Sequence, residues 1–201
     1  MAHSAAGKLQ GLSDDQVWYE VAYVAGVTHA LNAVADGLRL PLEFSASARQ
    51  PVLPLPDPAE APVEVKAVFD EIVAFYALDR PPAVFRWMAR DPGFLQSYWA
   101  ATRQAFADRV LDRPMKEILA VAASMTGKSD YGVDFHLREA RRLGLTDQAL
   151  TEAVEVVQLF NTVTKIADAL RLQPDFDPRR SEPSGAHDPA APKSPPSSSR
   201  S

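Results

Sequence analysis

The chain has 201 residues, 46% of them hydrophobic, with 21 Lys and Arg against 26 Asp and Glu, which fits one domain with a sizeable core and an appendage. A net charge of −5 without a basic stripe, and the lack of any apolar run of about 18 residues, exclude nucleic acid and membrane as expected partners and make a cytoplasmic protein the expectation. With no cysteine, disulfides, thiolate metal sites and cysteine catalysis are excluded as well.

In chain order, Ser13 with Gln16 three residues later forms a capping box, and an apolar helical run follows through Leu40. PVLPLPDPAEAP at 51–62 reads as a stiff extended connector. It sets an N-terminal helical segment, residues 1–50, apart from a body at 63–172. Val65, Val68, Phe69, Ile72, Val73 and Tyr76 recur at helical spacing and predict a helix from Val63 to Leu78. Pro82 suits an early helix position before AVFRWMAR. A further helix, Gly93 to Asp108, carries Phe94, Tyr98, Trp99 and Phe106; these aromatics, with Trp87, read as core or subunit interface. Arg113 to Met125 follows with Pro114 in its first turn. Ser129 to Leu143 ends at Gly144 as a C-cap. Thr146 then caps a long helix with Val154, Val157, Phe160, Val163, Ile166, Ala167 and Leu170 on one stripe. No segment alternates as a strand does, so the fold class is all-α, a helical bundle. The tail at 173–201 is rich in Pro, Ser, Ala and charge and reads as disordered, with His187 solvated.

The chain also repeats itself. VADGLRLPLEF at 34–44 lines up with IADALRLQPDF at 166–176, an offset of 132, pairing Ala35/Ala167, Asp36/Asp168, Leu38/Leu170, Arg39/Arg171, Leu40/Leu172 and Phe44/Phe176. Two amphipathic helices with similar C-terminal caps would produce such a match. So would a first helix left over from a duplicated unit. His29, aligned with Asn161, reads as a core or interface histidine.

The chemistry-bearing stretch is SDYGVDFH at 129–136, with Glu117 twelve residues before it in RPMKEILAVAASMTG. This part of the chain resembles the alkylhydroperoxidase / carboxymuconolactone decarboxylase family. Redox members of that family carry a Glu on one helix, then C-x-x-C-x-x-x-H at the start of the next, then a helix ending in a phrase like FN-x-x-x-R-I-A-D-A-L. Here Glu117 matches the Glu, Ser129 the first Cys, Gly132 the second Cys and His136 the His. Phe160-Asn161 and Ile166 to Leu170 match the closing phrase, and DPGFLQSYWAATRQAF looks like the helix before the Glu. The resemblance spans roughly residues 63–172 and implies an alkylhydroperoxidase-like helical bundle that assembles as a homo-oligomer.

The resemblance also implies what is lost. In the redox version the helix N-terminus lowers the pKa of the first thiol, Glu and His relay protons, and the second Cys resolves the oxidised first one. Each step needs sulfur, so thiol peroxidase chemistry is not expected here. Ser129 reads as an N-cap. Glu117 and His136 read either as a buried hydrogen bond fixing helix packing or as a proton-transfer pair. The decarboxylase branch of the family implies that catalysis can proceed without cysteine or cofactor. Two readings follow. One is a degenerate member kept for assembly or ligand binding. The other is a cofactor-free acid–base enzyme acting on a small organic acid or lactone, with Glu117 and His136 as proton carriers and Ser129 and Tyr131 orienting the substrate. Asp134 with Glu117 and His136 matches no standard ligand spacing, so no metal is expected. A Tyr at 131 more often packs, with its hydroxyl at the rim.

Overall fold

The computed structural model describes residues 15–37, 39–46 and 48–173. The capping Ser13, and all but the first residue of the tail, lie outside the described residues. The described chain holds seven α-helices: α1 Asp15–Gly37, α2 Val63–Tyr76, α3 Ala83–Met88, α4 Pro92–Phe106, α5 Arg113–Thr126, α6 Asp130–Arg142 and α7 Asp147–Ala169. A single 3₁₀ turn, Pro58–Glu60, precedes α2. No strand occurs among the described residues, and no helix is long and apolar enough to cross a membrane.

Local chemistry sets most boundaries. Asp91 accepts from the Phe94 N–H at 3.0 Å, with Pro92 opening α4. Asp112 accepts from Met115 at 2.9 Å and starts α5; Thr146 accepts from Ala149 at 3.2 Å and starts α7. Pro82 sits just outside α3 as its N-cap, with extended backbone, rather than inside the first turn. The first helix stops at Gly37, short of the expected Leu40, because Arg39 turns left-handed at φ 54° and the Leu40 N–H returns to the Ala35 carbonyl at 2.9 Å.

Helices α5 and α6 form the central antiparallel hairpin, with α1 laid against both and also touching α3 and α4. The core gathers Ile72 and Tyr76 from α2, Phe85 and Met88 from α3, Leu95 and Trp99 from α4, and Leu31 and Ala35 from α1. Aromatic rings meet edge to face within it: Tyr76 on Phe135 at 4.9 Å, and Phe75 and Phe85 on Trp99 at 5.3 and 5.7 Å. Phe94, by contrast, lies largely exposed.

Polar contacts pin α1 along its length, among them a pair between Asp36 near its end and Arg49 of the following segment at 2.8 Å. Near its start, Glu20 pairs with the fully buried Lys116 of α5 at 3.0 Å and accepts from the Val110 and Leu111 N–H groups. In the middle, the Tyr98 hydroxyl donates to the Val27 carbonyl at 3.0 Å. Further on, the Asn32 amide donates to the Ser124 hydroxyl at 3.0 Å. The Tyr98 bond is neutral and partly buried, so Tyr98→Phe is expected to cost about 1 kcal/mol. Urea denaturation should register this as a lower midpoint at unchanged m-value. The Pro-rich connector hugs the body, with Arg86 donating to the Pro56 carbonyl at 2.9 Å and Arg90 to that of Pro54.

The internal repeat is also a structural one. Helices α1 and α7 each run 23 residues, and both their first and their last residues align at the offset seen in the sequence. Their ends match as well. Arg171 has φ 51°, its N–H reaches the Asp168 carbonyl at 3.1 Å, and Leu172 returns to Ala167 at 2.9 Å, as Arg39 and Leu40 do to Asp36 and Ala35. Their surroundings differ. The described α1 buries Glu20, Val24, Thr28, Leu31, Asn32 and Ala35, while α7 buries only Leu150.

Candidate functional site

Glu117 lies on the inward face of α5, and His136 projects from the second turn of α6. The α5–α6 packing brings His136 Nδ1 to 2.7 Å from Glu117 Oε2, with both residues buried. With a carboxylate as acceptor, the ring carries its hydrogen on Nδ1. The imidazole is held on its faces too. Phe106 stacks nearly parallel to it at 5.7 Å, and Phe135 meets it edge-on at 5.4 Å.

Glu117 has a second partner, since its Oε1 accepts from Arg113 Nε at 2.7 Å, one turn earlier on α5. The Arg113 guanidinium stands 4.0 Å from the centre of the Phe75 ring and also faces Tyr76 and Phe106. It reaches Glu139 of α6 at 3.4 Å. Glu139 is fully buried and accepts from Arg142 at 2.7 Å and from Arg138. Two buried carboxylates, one histidine and three arginines thus form one network across α5 and α6. Arg113 and Glu139 were not singled out from the sequence. The i, i+4 spacing of Arg113 and Glu117 and the dense charge of HLREARR were the available signals.

The other two candidates make their hydrogen bonds outside this pair. Ser129 is buried and accepts from the Gly132 N–H at 3.0 Å, the N-cap geometry expected of it. Tyr131 donates its hydroxyl to Glu43 Oε1 at 2.8 Å, away from Glu117 and His136; its hydroxyl is buried rather than at a rim. Burial, reinforced by the neighbouring Glu43 carboxylate, pushes the Tyr131 phenol well up, so it remains a donor. Asp134 faces the 43–45 loop, accepting from the Glu43 and Phe44 N–H groups at 3.0 and 2.9 Å and from the Ser45 hydroxyl. Among the described residues, no group of three or more acidic or histidine side chains could hold a metal ion.

Glu43 gives the site a pH signature. Burial pushes its carboxyl above the usual range, against the Ala83 N–H and the Tyr131 hydroxyl, which pull it down. The folded state therefore binds this proton more tightly than the unfolded state. The stabilisation is complete below the ordinary value of 4.5 and is lost as pH rises through the raised folded value. Glu43→Gln cannot ionise, so its melting temperature should gain on that of wild type as pH rises from 4.5. A gap that stays flat, or moves the other way, contradicts this assignment.

The position of the second cysteine in the resemblance is occupied by another helix. A Cβ added to Gly132 would overlap the Asn32 side-chain oxygen and the Ser124 hydroxyl, and would stand 2.8 Å from Asn32 Cγ. Neither neighbour is loose, because Asn32 donates to Ser124, and Ser124 donates to the Ala120 carbonyl at 2.7 Å. Absence of a side chain at 132 is what lets α1 approach. The cavity left beside His136 is lined by Leu31, Asn32, Tyr131 and Phe135 among others. Its volume is about 10 Å³, at the threshold for one water molecule.

Comparison with known proteins bears on the fold and on the stretch that holds these residues. Residues 92–173 match the model of the carboxymuconolactone decarboxylase family. The chain is 32% identical over 60 residues to a protein of Paracoccus denitrificans described as uncharacterized protein 4 in the cox locus. That match covers 30% of this chain and spans about half, 54%, of the relative's length. Among solved structures, the alkylhydroperoxidase AhpD core of Rhodospirillum rubrum superposes with a TM-score of 0.57 at 27% identity, covering 61% of this chain and 92% of that one. The matched region takes in Glu117, the SDYGVDFH stretch and the closing helix. Residues 92–173 thus carry the match to the carboxymuconolactone decarboxylase family, within a cysteine-free chain that has an alkylhydroperoxidase-like helical fold.

Proposed function

We propose that this protein keeps the family fold for assembly or ligand binding and has left thiol chemistry behind. The observation that carries the reading is the closure of the site. Glu117 has both carboxylate oxygens engaged, His136 is clamped between aromatic rings, and the adjoining cavity of about 10 Å³ has no room for an organic acid or lactone. Asn32 fills the volume a resolving thiol would need. On this reading the Glu117–His136 bond is a packing device, and Ser129 and Tyr131 serve a helix cap and a second buried pair. A cytoplasmic homo-oligomer working without cofactor or metal is part of the proposal.

One observation favours the other reading, a cofactor-free acid–base enzyme with Glu117 and His136 as proton carriers. At 2.7 Å the two groups are within proton-transfer distance. The imidazole resonances of His136, followed by NMR while small carboxylic acids and lactones are titrated in, distinguish the two. The assembly reading expects them to stay in place throughout. A saturable shift accompanied by turnover of the added compound overturns it.

A further inference from the structure

We infer that the protruding half of α7 is the surface on which a second copy of this chain docks, in antiparallel register. The inference rests on the assembly reading above and names the surface that reading leaves open.

The first support is the pairing of α1 with α7. At the repeat offset, Val24 corresponds to Val156 and Leu31 to Val163. In α1 these positions are 0% and 7% exposed, packed into the body; in α7 they are 54% and 48% exposed. One helix design is thus seated in one setting and bare in the other. The seat used by α1, on α5 and α6, is already filled within each copy, so α7 needs a different surface.

The second support is the stripe itself. Val156, Leu159, Val163, Ile166 and Leu170 follow one another at alternating spacings of three and four residues, the seam of a two-helix coiled coil. All five are more than two-fifths exposed. The positions flanking the seam between Leu159 and Leu170 are Phe160, Thr162, Ala167 and Ala169, all uncharged, while Lys165 and Asp168 fall outside it. A partner of opposite charge has nothing to pair with at those flanks. An identical helix meets no like-charge repulsion.

The register follows from where the helix leaves the body. Packing of α7 on α5 involves its first half, with Leu150 buried and residues 158–160 exposed. Parallel pairing would bring two bodies together at one end. Antiparallel pairing sets them at opposite ends, and matching seam positions across the twofold axis then puts Val163 against Ile166 of the partner subunit, and Leu159 against Leu170 of the partner subunit.

The absence of cysteine makes this testable position by position. Sedimentation equilibrium of the full chain at micromolar concentration should give a dimer or a multiple of one. Val163→Glu, and separately Leu170→Glu, should halve the mass while leaving the circular dichroism spectrum and melting profile those of a folded protein, since both sites are exposed. Mixing Val163→Cys with Ile166→Cys under mild oxidation should give a disulfide-linked heterodimer, and mixing Val156→Cys with Val163→Cys should not. An oligomer indifferent to both Glu variants and lacking the 163–166 cross-link overturns the docking surface but leaves the assembly reading standing. A wild-type monomer overturns both.

Discussion

Gly132→Ala should lower the stability of the protein by about 2 kcal/mol, even though it replaces glycine with the best helix former inside a helix. Two effects compete. Alanine in α6 gains roughly 1 kcal/mol over glycine from backbone entropy alone. Against that, its Cβ would overlap Asn32 and Ser124, and crowding of this kind in a packed interior costs about 3 kcal/mol where the neighbours cannot retreat. They cannot retreat here because Asn32 is buried, spans from α1 to Ser124 of α5, and loses its hydrogen bond if it moves. Overlap therefore wins. The decisive measurement is the same substitution in an Asn32→Ala/Ser124→Ala background, by chemical denaturation. With both obstructing groups gone, Gly132→Ala should become neutral or stabilising. If the substitution is equally costly in both backgrounds, its harm has another origin and α1 does not close the site. The same argument extends to chemistry. Cysteines at 129 and 132 should form a disulfide with hydrogen peroxide, releasing two waters, far more readily once Asn32 has been shortened.

This contact is a fair measure of what could be read in advance. The helices were legible because each carries its own instructions: a period of apolar residues, and a cap such as Asp91, Asp112 or Thr146 that acts within four residues. Glu117 and His136 were found by resemblance, since nothing in the local spacing brings together two residues 19 apart on different helices. Asn32 was invisible for the same reason in stronger form. It lies a hundred residues from Gly132, and an amide inside an apolar helix gives no indication of its partner. The stripe on α7 was read with Val154 and Val157 in it, but steps of three residues drift around the helix, and the exposed seam runs through Val156 and Leu159 instead. Periodicity also does not say whether a face meets the body or solvent. Arg113 and Glu139 show a further limit. Charged residues near helix ends look like solvated surface until the fold brings two such ends together, and here it buries both in one network.

The largest effect is expected at the centre of that network. Glu117→Gln keeps the shape of the side chain and removes its charge. Arg113, enclosed by Phe75, Tyr76 and Phe106, then loses the carboxylate 2.7 Å away and retains only the longer contact to Glu139 at 3.4 Å. A buried guanidinium left short of its counter-charge destabilises by about 3–5 kcal/mol, a large part of the total for a domain of this size. Removing the arginine as well should reverse much of the loss. Arg113→Met presents an apolar, flexible chain to the same three rings, so the Glu117→Gln/Arg113→Met double variant should be more stable than Glu117→Gln alone. That ordering separates the two roles open to Glu117. A residue held ready for proton transfer would tolerate the amide with little change in denaturation midpoint, and removing Arg113 would not rescue it. A residue that neutralises a buried cation produces the steep loss and the recovery together, and the enclosed geometry of Arg113 favours that outcome.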